Sequence, residues 1–199
     1  MATESAQYRQ HGFTLIEMMV TLVVLAILVG IAVPSLNNLM QRNKVVSSSN
    51  ALLADLAYAR TEAVTEGNLV SLCPSSNGTS CTSTAYDQGW MVYSFPASAA
   101  STDKAYSTSV TPPATLLRYT QSRAGVSIQA TDTNIITFGQ QGQLKRSPGT
   151  AMIFETCALV GGSAQNIAAV PGLSLNLGEF GKVASSRLAA GASCTPTAP

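Results

Sequence analysis

The sequence predicts an α+β fold in which a long N-terminal helix, with a membrane half and an amphipathic half, packs on an antiparallel β-sheet domain. Three observations predict it. Residues 13–33 are apolar almost throughout, and that length rises roughly 30 Å as a helix, the thickness of a hydrocarbon core. Residues 35–66 keep apolar positions at near-helical spacing between charged ones. From residue 68 onward, short β-rich runs follow one another too closely for the long crossovers that parallel strands need.

The membrane half carries one anomaly, Glu17. A charge at the centre of such a helix costs about 2.5–3.5 kcal/mol, and less near the interface. Glu17 lies only about 6 Å along the helix from Phe13, so snorkelling lowers that cost. The bland reading is a tolerated interfacial carboxylate. The sharper one gives it a positive partner, because ionisable groups inside membranes are usually paired. No Lys or Arg lies between Phe13 and Gln41. The remaining cation is the α-amine of Phe13, which exists only if the chain is cut after Gly12.

That cut is what the sequence resembles. A polar leader ending in Gly12, followed by "FTLIE" and a long apolar run, is similar to the class III signal of type IV pilins and type II secretion pseudopilins. A general secretory signal would instead place its cleavage site after the apolar core. The resemblance implies that a prepilin peptidase cleaves between Gly12 and Phe13 and methylates the new amine of Phe13. It implies that Glu17 pairs with the terminal amine of a neighbouring subunit during assembly, and that Pro34 breaks the helix where it leaves the membrane. It also gives the orientation, leader in the cytoplasm and domain outside. Charge does not, since Arg9 precedes the span and Arg42 and Lys44 follow it.

The resulting organisation is a leader over 1–12, a transmembrane helix over 13–34, an amphipathic helix over 35–67 continuing from it as one helix, and a β-rich domain over 68–199. In the amphipathic half, Leu36, Met40, Val46, Leu53, Leu56, Ala57, Ala63 and Val64 read as the apolar stripe, with Asn37, Arg42, Lys44, Asp55, Glu62 and Glu66 between them. Residues 47–50 weaken helix propensity, and Gly67 is a stop signal. Strands are expected at 68–73, 89–95, 115–121, 125–130, 134–139, 142–145, 150–157, 172–178 and 181–186. Residues 96–114 read as an exposed loop and the tail after Cys194 as short and flexible.

Composition excludes several chemistries. The only histidine, His11, lies in the leader, so the mature chain lacks what Ser–His–Asp or Cys–His catalysis and His-ligated metals require. A net charge of +1 gives no general attraction to nucleic acid. Cys73, Cys81, Cys157 and Cys194 are an even set in a domain placed in an oxidising compartment, which points to disulfides. Their separations do not fit the short spacing of paired zinc ligands. Of three connectivities, Cys73–Cys81 with Cys157–Cys194 is favoured because each pair is closest along the chain. "SLCPSSNG" lacks the lysine of a phosphate loop and the acidic ligands of a calcium loop. The "NGT" sequon carries little weight in a chain expected to be bacterial. Arg60 and Glu62, two apart, face different sides of a helix and read as contacts to the sheet or to neighbours. Trp90 reads as core. No catalytic, cofactor or metal site is expected, and no enzyme.

"YARTEAVTEGNLVSLCPSSNGTSC" followed by "GWMVYS" resembles the FimT/FimU-type minor pilins of the GspH/FimT family. The resemblance is strong over 12–95 and loose beyond. It implies a minor pilin of a type IV pilus, assembled into the tip or initiation complex after residence in the inner membrane with its domain in the periplasm. Its partners would be other pilins or minor pilins of the filament, the prepilin peptidase and the inner-membrane assembly platform. A GspH-like pseudopilin of a type II secretion system is the alternative. A DNA-binding pilin is the third reading, with Lys145, Arg146, Lys182 and Arg187 as candidate phosphate contacts. The Gly-Arg-X-Arg motif of DNA-capturing relatives is matched only by Gly181-Lys182-Val183-Ala184, which lacks the second arginine.

Overall fold

The computed structural model describes residues 12–81, 85–96, 103–109, 111–146 and 151–197. The leader, apart from Gly12, and residues 97–102 and 110 of the 96–114 loop lie outside these. Two compact units divide the chain, Met1–Asn38 and Leu39–Pro199.

Helix α1, Leu15–Glu66, contributes to both units. Its first part is the one described helix long and apolar enough to cross a membrane, with none of the best apolar window buried. Pro34 lies inside α1, which continues beyond it to Glu66, so Pro34 does not end the helix. Proline forfeits its own N–H bond and crowds the carbonyl four residues back. That residue is Gly30.

The Leu39–Pro199 unit is built on two antiparallel sheets. The first contains β1 (Leu69–Pro74), β2 (Gly89–Phe95), β3 (Thr115–Gln121) and β5 (Ile136–Phe138), in the order β3-β2-β1-β5. The second contains β4 (Val126–Ala130), β6 (Met152–Val160), β8 (Leu173–Leu177) and β9 (Val183–Arg187), in the order β4-β6-β8-β9, with β7 (Ser163–Gln165) on β6. Both sheets meet the C-terminal part of α1 in one core. Leu52, Leu56, Ala59 and Ala63 pack with Val70, Leu72, Trp90 and Val92 of the first sheet and with Val126, Ile128, Phe154 and Leu175 of the second. Behind the first sheet, Cys73, Met91, Tyr93, Phe95 and Ala114 form a smaller cluster joined by Tyr106. The described part of the 96–114 loop is therefore partly docked, and Tyr93 Oη donates to the Lys104 carbonyl at 2.8 Å.

The helix seam shares only Leu56 and Ala63 with the stripe read in the sequence. Val45, Ser48, Ser49, Leu52, Asp55, Leu56, Ala59 and Ala63 are buried, a run of three- and four-residue steps, whereas Val46 and Val64 are exposed. Three of the seam residues are polar, and this hid it.

The 142–145 segment is not a strand. Gly139 and Gly142 close a tight loop, and only Leu144 makes a bridge, to Phe138. Conversely, β7 escaped notice because it is short and polar. Its signal was the preceding "VGGS": Val160 pairs with Ser163 across Gly161 and Gly162, both at positive φ (59° and 84°), the two-residue turn that matches sheet twist.

Gly89 opens β2 at φ 109°, and a Cβ there would sit 2.7 Å from the Thr120 carbonyl oxygen and 2.9 Å from that of Ser75. Both obstacles are backbone. Gly89→Ala is expected to cost about 2–3 kcal/mol, read as a lower denaturant midpoint at unchanged m.

Glu155 sits in β6 between Gln129 and Ser174 of the flanking strands. Burial raises its pKa. A carboxyl whose folded pKa exceeds its unfolded one adds stability below the unfolded value and loses it as pH rises through the folded one. Glu155→Gln is therefore expected to raise the melting temperature at neutral pH and to leave it unchanged below about pH 4.

Candidate functional site

The N-terminal site is a carboxylate on an uncovered apolar helix. Thr14 immediately precedes α1, and its Oγ1 accepts a hydrogen bond from the Glu17 N–H at 3.3 Å. "TLIE" is thus half of a capping box, a local signal the membrane reading passed over. Glu17 lies in the first turn, where the helix dipole favours a negative charge. Gly12 and Phe13 precede the helix, and Phe13 is 76% exposed. The neighbours of Glu17 are exposed too: Leu15 at 79% and Ile16 at 66%. A surface of that size and apolarity requires a bilayer or other subunits around it.

A second polar centre fixes α1 to the first sheet. Asp55 is 4% exposed, although the sequence reading placed it on the polar side. Its carboxylate accepts from Trp90 Nε1 at 2.8 Å, from Arg118 Nη1 at 2.8 Å and from Thr120 Oγ1 at 2.7 Å. Three donors from β2 and β3 thereby satisfy one buried charge. The Arg118 guanidinium also stacks on the Tyr58 ring at 4.1 Å. Burial raises the pKa of Tyr58, and the nearby Glu62 carboxylate adds to the shift. Arg60 has a different partner: its Nε donates to the Gly142 carbonyl at 2.9 Å. The missed signal for Asp55 was its place in the run Leu52, Asp55, Leu56, Ala59.

Two disulfides hold the loops. Cys73 is bonded to Cys81 with the Cα atoms 5.6 Å apart, and Cys157 to Cys194 at 6.1 Å. Inside the smaller ring Asn77 Oδ1 accepts from the Thr79 and Ser80 amides, which is the turn chemistry expected of "SNG". The C-terminal segment is less loose than the sequence implied. Asn166 Nδ2 donates to the carbonyls of Ala189 and Ala192, and Pro196 is buried. By loop length, breaking Cys157–Cys194 is expected to cost about 3.9 kcal/mol and breaking Cys73–Cys81 about 2.6 kcal/mol, measurable by chemical denaturation of Cys→Ala pairs.

The four candidate DNA contacts do not form one surface. Lys145, Lys182 and Arg187 are exposed. Arg146 is buried and ion-paired with Asp132, so it is withdrawn as a phosphate contact. The Leu144 amide does reach the Glu179 carbonyl at 3.1 Å, which places an acidic residue beside the cations. Among the described residues no cluster of His, Cys, Asp or Glu could hold a metal.

An exposed apolar N-terminal helix with a carboxylate in its first turn, running into a two-sheet antiparallel body, defines the pilin-like class of membrane-anchored subunits. The chain belongs to the GspH family: "Type II transport protein GspH" matches residues 48–170. The "Prokaryotic N-terminal methylation motif" matches residues 7–33. No curated protein matches the chain. Among solved structures, the type IV minor pilin FimU of Pseudomonas aeruginosa strain PAO1, in space group P21, is 20% identical. That match covers 74% of this chain and 92% of FimU, with a TM-score of 0.51, and shows a shared fold. A second crystal form of FimU, in space group P65, matches at 20% identity and a TM-score of 0.45, covering 70% of this chain and 90% of that one.

Proposed function

We propose that this chain is a minor pilin of a type IV pilus. On this reading prepilin peptidase cuts between Gly12 and Phe13, Phe13 is N-methylated, residues 13–34 hold the protein in the inner membrane, and the 68–199 domain lies in the periplasm until the subunit enters the filament. Its partners are the other pilins and the assembly platform. The observation that carries this reading is the first turn of α1, where Glu17 stands alone among exposed apolar side chains and a free Phe13 amine would be its nearest cation.

The second reading, a pseudopilin of a type II secretion system, draws on the description of the matched family. The Cys73-Pro74-Ser75 turn, closed by Cys81 and followed by Gly89-Trp90, favours the pilus reading through its resemblance to the FimT/FimU branch. A tagged chain in its own host separates the two. The chain is expected in sheared filaments, as a species beginning at methylated Phe13. Deletion of the gene is expected to reduce piliation and leave exoprotein secretion intact. Gly12→Val is expected to retain the leader and keep the protein out of filaments. Normal piliation with lost secretion would reverse the assignment.

A further inference from the structure

The second sheet ends on an edge that the fold leaves open. The other three ends of the two strand orders are managed, and β7 adds only a three-residue edge beside β6. The outer side of β5 is covered by the 144–145 segment, whose Lys145 amide donates to the Thr137 carbonyl. The 3-10 turn Tyr86–Gln88 runs beside β4. The β2–β3 pairing is interrupted by a register shift between Val92 and Tyr93, and β3 carries Arg118 and Gln121, both exposed. Bulges, charges and covers of this kind keep edges from pairing with other chains. By contrast β9 pairs with β8 in five consecutive steps without a shift, from Leu177↔Val183 to Leu173↔Arg187. Among the described residues its outer edge has no strand beside it. The central residues, Ala184, Ser185 and Ser186, are exposed and carry neither charge nor proline.

Two features flank this edge. The β8–β9 turn is closed by hydrogen bonds from the Gly178 amide to the Lys182 carbonyl and from the Gly181 amide to the Gly178 carbonyl. It presents Phe180 at 81% exposure, more than any other large hydrophobic described in the Leu39–Pro199 unit. Lys182 and Arg187, both exposed, stand at the two ends of the strand, five residues or roughly 17 Å apart.

We propose that β9 is a docking edge for an extended peptide strand of another protein that carries a carboxylate near each end. Unpaired main-chain groups select an extended partner. The two terminal cations select acidic flanks, and Phe180 supplies an aromatic anchor of the type that dominates small interfaces. A second copy of this chain fits poorly. In the full-overlap antiparallel pairing of two β9 strands, Lys182 would face Arg187, and directly opposed like charges are destabilising. The edge lies outside residues 48–170, the stretch matched by the GspH family, and the proposal holds for either apparatus.

The test uses the full chain, 15N-labelled in detergent micelles, and the peptide acetyl-Glu-Val-Thr-Val-Thr-Glu-amide at up to millimolar concentration. Amide exchange at Val183, Ser185 and Arg187, which alternate with the residues hydrogen-bonded to β8, is expected to slow on addition of the peptide, with shift changes confined to residues 180–188. Phe180→Ala is expected to weaken binding about tenfold. The Lys182→Glu, Arg187→Glu double variant is expected to lose the acidic peptide and to bind its counterpart with Lys at both ends. A peptide N-methylated at alternate amides is expected not to bind. Equal binding of the N-methylated peptide, scattered shift changes, or no protection of β9 would overturn the proposal. So would unaltered affinity in the charge-reversed variant. Protection of β9 that rises with chain concentration in the absence of peptide would overturn it in favour of self-pairing.

Discussion

Glu17→Val is expected to yield a protein that is cleaved, methylated and membrane-bound, yet absent from sheared filaments. Valine removes a carboxylate that costs about 2.5–3.5 kcal/mol at mid-membrane and less near the interface, so insertion is not impaired. On the proposed reading, what disappears is the acceptor for a neighbouring subunit's terminal amine. Glu17→Gln keeps hydrogen-bonding capacity without charge and is expected to fail almost as completely. The local geometry supplies the competing explanation, since Thr14 Oγ1 accepts the Glu17 amide at 3.3 Å. If Glu17 served only to start the helix, Thr14→Ala, which removes an N-cap at about 1 kcal/mol, would be as damaging as Glu17→Val. The assembly reading expects Thr14→Ala in filaments at near-normal amount and Glu17→Val at background. Immunoblots of sheared filaments and membrane fractions, run side by side, read both outcomes.

The helix and most strands were legible because their signals are local. An apolar run of membrane length, period-two alternation and turn residues need no knowledge of the partner surface. β2 and β3 fall at the expected residues 89–95 and 115–121, since each is bounded by turn residues and pairs with a neighbour in sequence. Features that depend on distant chain segments were not legible. Asp55 looks like a surface residue until Trp90, Arg118 and Thr120 close on it from two strands. Arg146 looks like a free cation until Asp132 meets it in the interior. The division into two sheets was equally hidden, because alternation says which faces are buried and not which strands share a ladder. In the proposed processing site, by contrast, Gly12, Phe13 and Glu17 stand within five residues of one another, and the structure adds only the Thr14 cap.

Asp55→Ala is expected to destabilise the Leu39–Pro199 unit by about 3 kcal/mol. The loss is unequally shared. Arg118 has 46% of its side chain exposed and can exchange the carboxylate for water, so its ion pair contributes little. The cost falls on the Trp90 indole N–H, which is buried with its ring, and on the Thr120 hydroxyl. Each would be left without an acceptor, at about 1–3 kcal/mol for a buried group. Asp55→Asn gives back one oxygen but turns an N–H₂ toward donors, so it is expected to recover less than half the loss. Arg118→Ala is expected to cost under about 1 kcal/mol. Trp90 is the only tryptophan, so its fluorescence reports unfolding at the site itself. In a double-mutant cycle, Trp90→Phe removes the indole donor and is expected to soften Asp55→Ala by about 1 kcal/mol. A denaturant midpoint for Asp55→Ala within about 0.5 kcal/mol of the parent would show that the three hydrogen bonds do not hold α1 to the sheet.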